Sequence, residues 1–270
     1  MSAEPIRLVV VDIDGTIAGD NNQVNPAVKA ALNAAQAQGV KVAIATGRMH
    51  RSAVRFHRDI QADMPLCSYQ GALIRDPETH RTYQHRLLPR PLTHDLLRAY
   101  QDYPLVVHVY IDDELYVQTA NPLSEAYAQR SQVPLHILGD QPLPADATKV
   151  LAMSENTDLI DQLYLDFRDR YPNEELYLTK SHPTFLEATH PQVNKGLAVQ
   201  FLAEELLGIP AQQVMAIGDS DNDLEMLTYA GLGVAMGNAK DWVKSHADWI
   251  APDVEADGVA AAITKFILEA

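Results

Sequence analysis

The chain has 270 residues, 47% of them apolar and 21% charged, a globular balance long enough for one large domain or two smaller ones. Its formal net charge of −15 disfavours nucleic acid and anionic membrane surfaces as partners. The only cysteine, Cys67, rules out an intrachain disulfide and a cysteine zinc cluster, and it fits a cytoplasmic setting. No run approaches about 18 apolar residues, and the opening MSAEPIR does not read as a signal peptide.

The first element is VVVDIDGTI, Val9 to Ile17. Its β-branched run reads as a buried strand of a parallel sheet, with Asp12 and Asp14 at its carboxyl end and Gly15 turning the chain. A helix follows, opened by Asn25 as N-cap and Pro26 at its first position, and closed by Gly39. KVAIATGR is a second short strand, ending in Thr46, Gly47 and Arg48. A helix from His50 to about Ile60 and the strand and turn of PLCSYQGALI complete a doubly wound α/β pattern.

The pattern changes near residue 80. LVVHVYIDDELYVQT reads as an antiparallel hairpin about a solvated Asp112-Asp113-Glu114 turn. ATKVLAMSE is a strand, NTDLIDQLYLDFRDRY a helix, and ELYLTKSHPTFLEATH two more strands. We read 84–187 as an inserted α+β domain, with 1–83 and 188–270 forming the core. Asn194 then caps the helix KGLAVQFLAEELL, VMAIGDSDND is another buried strand, and LEMLTYAG, LGVAMGN and DWIAPDVEADGVAAAITKFIL close the parallel pattern. Trp242 and Trp249 are expected in packing roles.

Three strands distant in sequence end in polar residues: Asp12/Asp14, Thr46/Gly47 and Asp219/Asp221/Asp223. In a doubly wound sheet such ends converge on one rim. Clustered carboxylates repel unless a proton or cation separates them, and hard oxygen ligands suit Mg²⁺. A calcium loop starting at Asp219 fails, because its glycine position is Leu224 and its glutamate position Ala230. Lys195 sits in the first turn of its helix, where the dipole disfavours a cation unless an anion joins it or solvent surrounds it.

DIDGT, ATGR, NKG and GDSDND, in that order and with a large insert between the second and third, strongly resemble the haloacid dehalogenase superfamily of phosphatases. The insert position and the GDSDND form are most similar to its Cof-type branch, and SYQGALI and GVAMGNA extend the likeness over the whole chain. Gln70 departs from it, standing where asparagine is expected before Gly-Ala. The resemblance implies a Rossmann-like core with an α+β cap that excludes water and selects the leaving group. It implies Asp12 as the nucleophile that becomes an aspartyl phosphate, and Asp14 as the acid and base. It implies Mg²⁺ held by the Asp12 and Asp219 carboxylates and the Asp14 main-chain carbonyl, with Asp223 supporting the metal shell or Lys195. Thr46, Gly47, Lys195 and Asn222 would bind phosphoryl oxygens. Arg48, His50, Arg51 and His182 are the candidates for substrate contact.

The expected reaction is Mg²⁺-dependent hydrolysis of small soluble phosphomonoesters, sugar phosphates foremost. A phosphomutase could share the aspartate pair, and isomeric product without phosphate release would distinguish it. A signalling receiver gathers similar residues, but it is far shorter and leaves the insert without a role.

Overall fold

The computed structural model describes residues 4–269. Strand β1 (Leu8–Val11) is fully buried and pairs in parallel with β2 (Lys41–Ile44). Helix α1 (Pro26–Ala37) joins them and buries Val28, Ala31, Leu32 and Ala35 along one stripe. Asn25 holds the N-cap position, yet its side chain donates to Asp257 rather than accepting from the helix. Helix α2 (His50–Asp59) follows β2.

The third strand departs from the doubly wound expectation. β3 (Leu66–Ser68) touches β2 through a single bridge at Ala45 and Cys67. Its main pairing is antiparallel to β4 (Leu73–Arg75), which pairs with β5 (Thr82–His85). The cause is local: Tyr69, Gln70 and Gly71 all take positive φ, which folds the chain back after three strand residues.

The chain then passes through α3 (Arg90–Tyr100), β6 (Val106–Ile111), β7 (Glu114–Val117), α4 (Pro122–Ser131), β8 (Leu135–Ile137), β9 (Lys149–Met153), α5 (Thr157–Arg170), β10 (Tyr177–Thr179) and β11 (Phe185–Thr189). The six strands form one sheet in the order β10-β11-β9-β6-β7-β8. The hairpin expected about Asp112 is present, with Ile111 opposite Glu114. One face of this sheet packs Val109, Ile111, Val150 and Ala152 under Leu96 of α3 and Leu163 of α5. The other presents Tyr110, Leu115, Leu151 and Met153 to Met49, Tyr69, Ala72 and Leu73, so it is seated on the first layer.

Helix α6 (Lys195–Gln200) starts at Asn194, whose side chain accepts from the Leu197 amide at 2.7 Å, and runs on in wider turns through Leu207. Then come β12 (Val214–Gly218), α7 (Leu224–Tyr229), β13 (Leu232–Ala235), α8 (Asp241–Lys244), β14 (Trp249–Ile250) and α9 (Gly258–Ile263). The parallel sheet is ordered β14-β13-β12-β1-β2. Val9 and Val11 pack towards α1 and α9, while Leu8 and Val10 pack towards α6 and α7. Both faces are therefore covered, which is why these strands are apolar without alternation. Trp249 packs edge-on against Phe266, while Trp242 is 60% exposed and lies at the surface, edge-on to His246 with ring centres 4.2 Å apart. No helix among the described residues is long and apolar enough to cross a membrane.

Candidate active site

Strands β1 and β12 are neighbours, so Asp12 and Asp219 leave the sheet side by side. Thr46 follows β2 on the other flank of β1. This is the rim at which α/β sheets place ligands. Gly15, at φ +74°, lets the chain turn beneath Asp219; a Cβ there would lie 2.3 Å from Asp219 Oδ2.

Lys195 is not a surface residue. Its ammonium is buried between Asp12 Oδ1 at 2.8 Å and Asp223 Oδ1 at 2.5 Å. Asp223 is also fully enclosed, and its second oxygen accepts the main-chain N–H groups of Asp219 and Ser220, both at 2.9 Å. Asp223 thus fixes both the lysine and the turn that carries Asp219.

The carboxylates of Asp12, Asp219 and Asp223 converge, with oxygens within 4.8 Å of one another. Burial raises the Asp219 carboxyl to about 7, helped by the neighbouring charge of Asp223. Burial also lifts Asp12 well above the usual carboxylate range. Lys195 opposes that rise, but the surrounding aspartates add to it. With both Asp223 oxygens engaged, Asp12 and Asp219 remain as an under-neutralised oxygen pair. That donor set fits a hard divalent cation.

Asp14 behaves differently. Its half-exposed carboxylate is gripped in bidentate fashion by Arg48, at 2.7 Å from Nε and 2.5 Å from Nη2. Burial would raise its pKa, but the Arg48 hydrogen bonds and charge outweigh it and hold the carboxyl below its usual value. The Asp14 side chain therefore stands outside the acidic cluster, which leaves its main-chain carbonyl as the group it can offer a metal.

Thr46 is buried, and its hydroxyl oxygen accepts the Arg48 N–H at 3.2 Å. The Thr46 carbonyl accepts from the Gln70 N–H at 2.9 Å. Because the peptide is trans, that bond turns the Gly47 N–H the opposite way. Asn222 is buried and donates to Gln70 Oε1 at 3.0 Å, while its own Oδ1 has no partner among the described residues.

Asp12, Asp14, Thr46, Gly47, Asp219 and Asn222 line a cavity of about 630 Å³, to which the insert adds Tyr127, Arg130, Lys149, Ser181, His182, Phe185 and Glu187. Lys195 and Asp223 are buried behind Asp12 and do not line it. Arg48 and His182 line it as well, but the Arg48 guanidinium is already engaged by Asp14 and Asn22. His50 and Arg51 do not line it. His50 is buried, with burial lowering its pKa to about 4. Arg51 pairs with Glu114 of the insert. The Asp112-Asp113-Glu114 turn is accordingly not a merely solvated one. Asp113 accepts the Arg51 N–H at 2.9 Å and the Tyr69 hydroxyl at 2.8 Å.

Two contributors escaped the sequence reading. Thr16 donates to Asp219 at 3.2 Å, and Asn238 donates to the Gly15 carbonyl at 2.9 Å. Both lie inside quoted motifs, DGT and GVAMGNA, where their polarity amid apolar residues was the available signal.

Together the parallel sheet, the convergent rim and the seated α+β layer define a Rossmann-like hydrolase core with a cap domain. The model of the haloacid dehalogenase-like hydrolases matches residues 9–263. The chain belongs to that family, in its Cof-type phosphatase branch. It is 33% identical to YxeH of Bacillus subtilis over 277 residues, which cover 97% of this chain and 98% of that one. It is 31% identical to the 5-amino-6-(5-phospho-D-ribitylamino)uracil phosphatase YcsE of the same organism, covering 97% and 96%. Among solved structures, a haloacid dehalogenase-like hydrolase from B. subtilis superposes with a TM-score of 0.85 at 26% identity, covering 96% of this chain and 99% of that one.

Proposed function

We propose that this phosphatase is a Mg²⁺-dependent hydrolase of small phosphomonoesters, phosphorylated sugars and polyols foremost, working through an aspartyl phosphate. The observation that carries this reading is Asp12, held 2.8 Å from a buried lysine in an acidic cluster on the floor of a small-molecule-sized cavity.

An Asp12 carboxylate oxygen attacks phosphorus, and the ester P–O bond breaks as the Asp12 O–P bond forms. Lys195, the Thr46 hydroxyl and the Gly47 and Asn222 N–H groups bind the phosphoryl oxygens, whose charge would otherwise be repelled by the aspartates. Asp14 gives its proton to the departing alkoxide. Water then attacks the phosphoryl group of the aspartyl phosphate, the Asp12 O–P bond breaks to restore the carboxylate and release inorganic phosphate, and Asp14 takes that water's proton. A carboxylate clasped by a guanidinium has no proton to give, so Arg48 separates from Asp14 and the freed carboxylate takes up a proton from solvent before the first step. Asp12, Asp219 and the Asp14 carbonyl would hold Mg²⁺, which supplies positive charge against the dianionic ester and keeps Asp12 ionised.

The substrate class draws on two supports. Arg130, Ser181 and His182 give the cavity wall hydrogen-bonding groups suited to hydroxyls. A relative 31% identical carries in its name a phosphorylated ribityl compound. We assign 84–187 the role of a cap that selects the leaving group, and we place the protein in the cytoplasm, where buried Cys67 would stay a free thiol.

The test is phosphate release from an aryl phosphate and a panel of sugar and polyol phosphates, with and without Mg²⁺. Activity should require the metal and vanish in Asp12→Asn. Phosphate release that survives Asp12→Asn would remove the nucleophile. Isomeric product without free phosphate would make the protein a mutase.

A further inference from the structure

Across the junction between insert and core runs a polar chain through Lys149, Glu187 and Gln70, three residues to which the reaction above gives no part. Lys149, the first residue of β9, is 2% exposed. Its ammonium donates to the Gly47 carbonyl at 2.7 Å and to Glu187 Oε2 at 3.1 Å, and lies 4.9 Å from the centre of the Tyr110 ring. Glu187 of β11 is equally buried; its other oxygen accepts from the Ser181 hydroxyl. The oxygen shared with Lys149 also accepts from Gln70 Nε2 at 3.0 Å, and Gln70 Oε1 accepts from Asn222. Gln70 itself is buried at φ +62° and packed so closely on the loop that a Cβ at Gly47 would lie 2.4 Å from its Nε2.

We infer that Lys149 is a positioning residue for phosphoryl binding: from the insert it clamps the Gly47 carbonyl, while Glu187 and Gln70 carry the same restraint to Asn222. The inference rests on the assignment of Gly47 and Asn222 as phosphoryl ligands. Its physical core is the peptide geometry of the loop. Thr46–Gly47 is fixed by the Gln70 N–H on its carbonyl. Gly47–Arg48 is fixed on one side by the Thr46 hydroxyl and on the other by Lys149. Glycine has the widest backbone freedom of any residue, so two trans peptides flanking Gly47 need an external restraint at each to keep one N–H aimed at the rim. Among the described residues the core restrains the first peptide at its carbonyl and the second at its N–H, through the Thr46 hydroxyl, and the restraint on the second carbonyl comes from Lys149 of the insert. A cap that is not seated leaves the phosphate loop without that last restraint. Seating and competence for transfer are then one event.

Removing Lys149 alone would strand the Glu187 charge, so the informative variant is the neutral pair Lys149→Met with Glu187→Gln. It is assayed with Mg²⁺ on an aryl phosphate, whose leaving group makes no demand on cap hydroxyl contacts, and with inorganic phosphate as competitive inhibitor. Misplacement of a binding group by about 1 Å costs roughly 10²-fold. The aryl phosphate kcat should fall by about 10- to 100-fold, and the inhibition constant for inorganic phosphate should rise by about tenfold. A folded variant with normal kcat and normal phosphate inhibition overturns the inference. So does one in which only the KM for sugar phosphates rises, since Lys149 would then be a leaving-group contact. Should the pair not fold, Lys149→Arg keeps the charge but is too long for the 2.7 Å contact. It should show the same two losses, and wild-type values for both in the folded Arg variant would equally overturn the inference. If the wild type binds phosphate but hydrolyses no ester, the assigned reaction fails, while calorimetric phosphate affinity still decides the role of Lys149.

Discussion

Lys195 shows how one side chain changes meaning between sequence and structure. At the start of a helix it reads as a solvated cation or a clamp, and burial between Asp12 and Asp223 removes the first option. Lys195→Ala should lower kcat by roughly 10²–10³-fold, the usual cost of a lost charge-stabilising donor. A rate within about threefold of wild type would show that the ammonium does not reach the phosphoryl group. The acidic cluster makes a separate prediction about stability. Asp219 is raised to about 7 and Asp12 is raised as well, so the folded protein holds protons that the unfolded chain would release. For a carboxyl with a raised folded pKa, this contribution is complete below the unfolded value and is lost as pH rises through the folded one. The metal-free protein should therefore lose stability from about pH 4 to pH 7 on account of this cluster. Mg²⁺ should counter the loss, raising the Tm more at about pH 8 than at about pH 5.5. Scanning calorimetry at both pH values checks this, and a metal-induced shift no larger at the higher pH would contradict it.

At the scale of elements, the turn after β1 and the start of α2 carry the most information per residue. Gly15→Ala would force a side chain into positive φ and against Asp219 at once. The backbone strain alone costs about 1–2 kcal/mol, but the displaced carboxylate should make the loss of activity exceed the loss of stability. Thermal unfolding beside Mg²⁺-dependent rate separates the two. The parallel strands and their rim were legible in the sequence because a strand covered on both faces must be apolar throughout, and its open carboxyl end is where polar residues can begin. The helix starting at Asn194 was legible for a similar reason, its N-cap being a local contact. The short β3, the Arg48–Asp14 pair and the contact of Asp113 with α2 were not. Each depends on a partner at least 34 residues away or on consecutive positive φ angles at Tyr69 and Gln70, and no local pattern encodes either. Gln70 is the sharpest case. In the sequence it was a mere departure from an expected asparagine, and in the structure its longer side chain bridges Asn222 and Glu187.

For the whole molecule, the sheet of the insert is held at the core by the apolar cluster of Met49, Tyr69 and Leu73 with Tyr110, Leu115 and Leu151. The cavity lies beside that contact, lined by Asp12, Asp14, Thr46, Gly47 and Asp219 from the core and by Tyr127, Arg130, Ser181 and His182 from the insert. This division predicts that the two walls fail in different ways. Arg130 and His182 reach the cavity from the insert and have no part in the network around Gly47. A hydrogen bond to a charged group is worth about 1.5–3 kcal/mol, so Arg130→Ala should raise the KM for its preferred sugar or polyol phosphate by about tenfold or more. With an aryl phosphate, which offers no hydroxyls to that wall, kcat should stay within about threefold of wild type. The Lys149 variants should show the opposite pattern, losing kcat on every ester alike. Parallel kinetics on both substrates resolve the two walls, and an Arg130 variant that loses aryl phosphate turnover as steeply as a Lys149 variant would mean that the insert acts on the transfer step as one body.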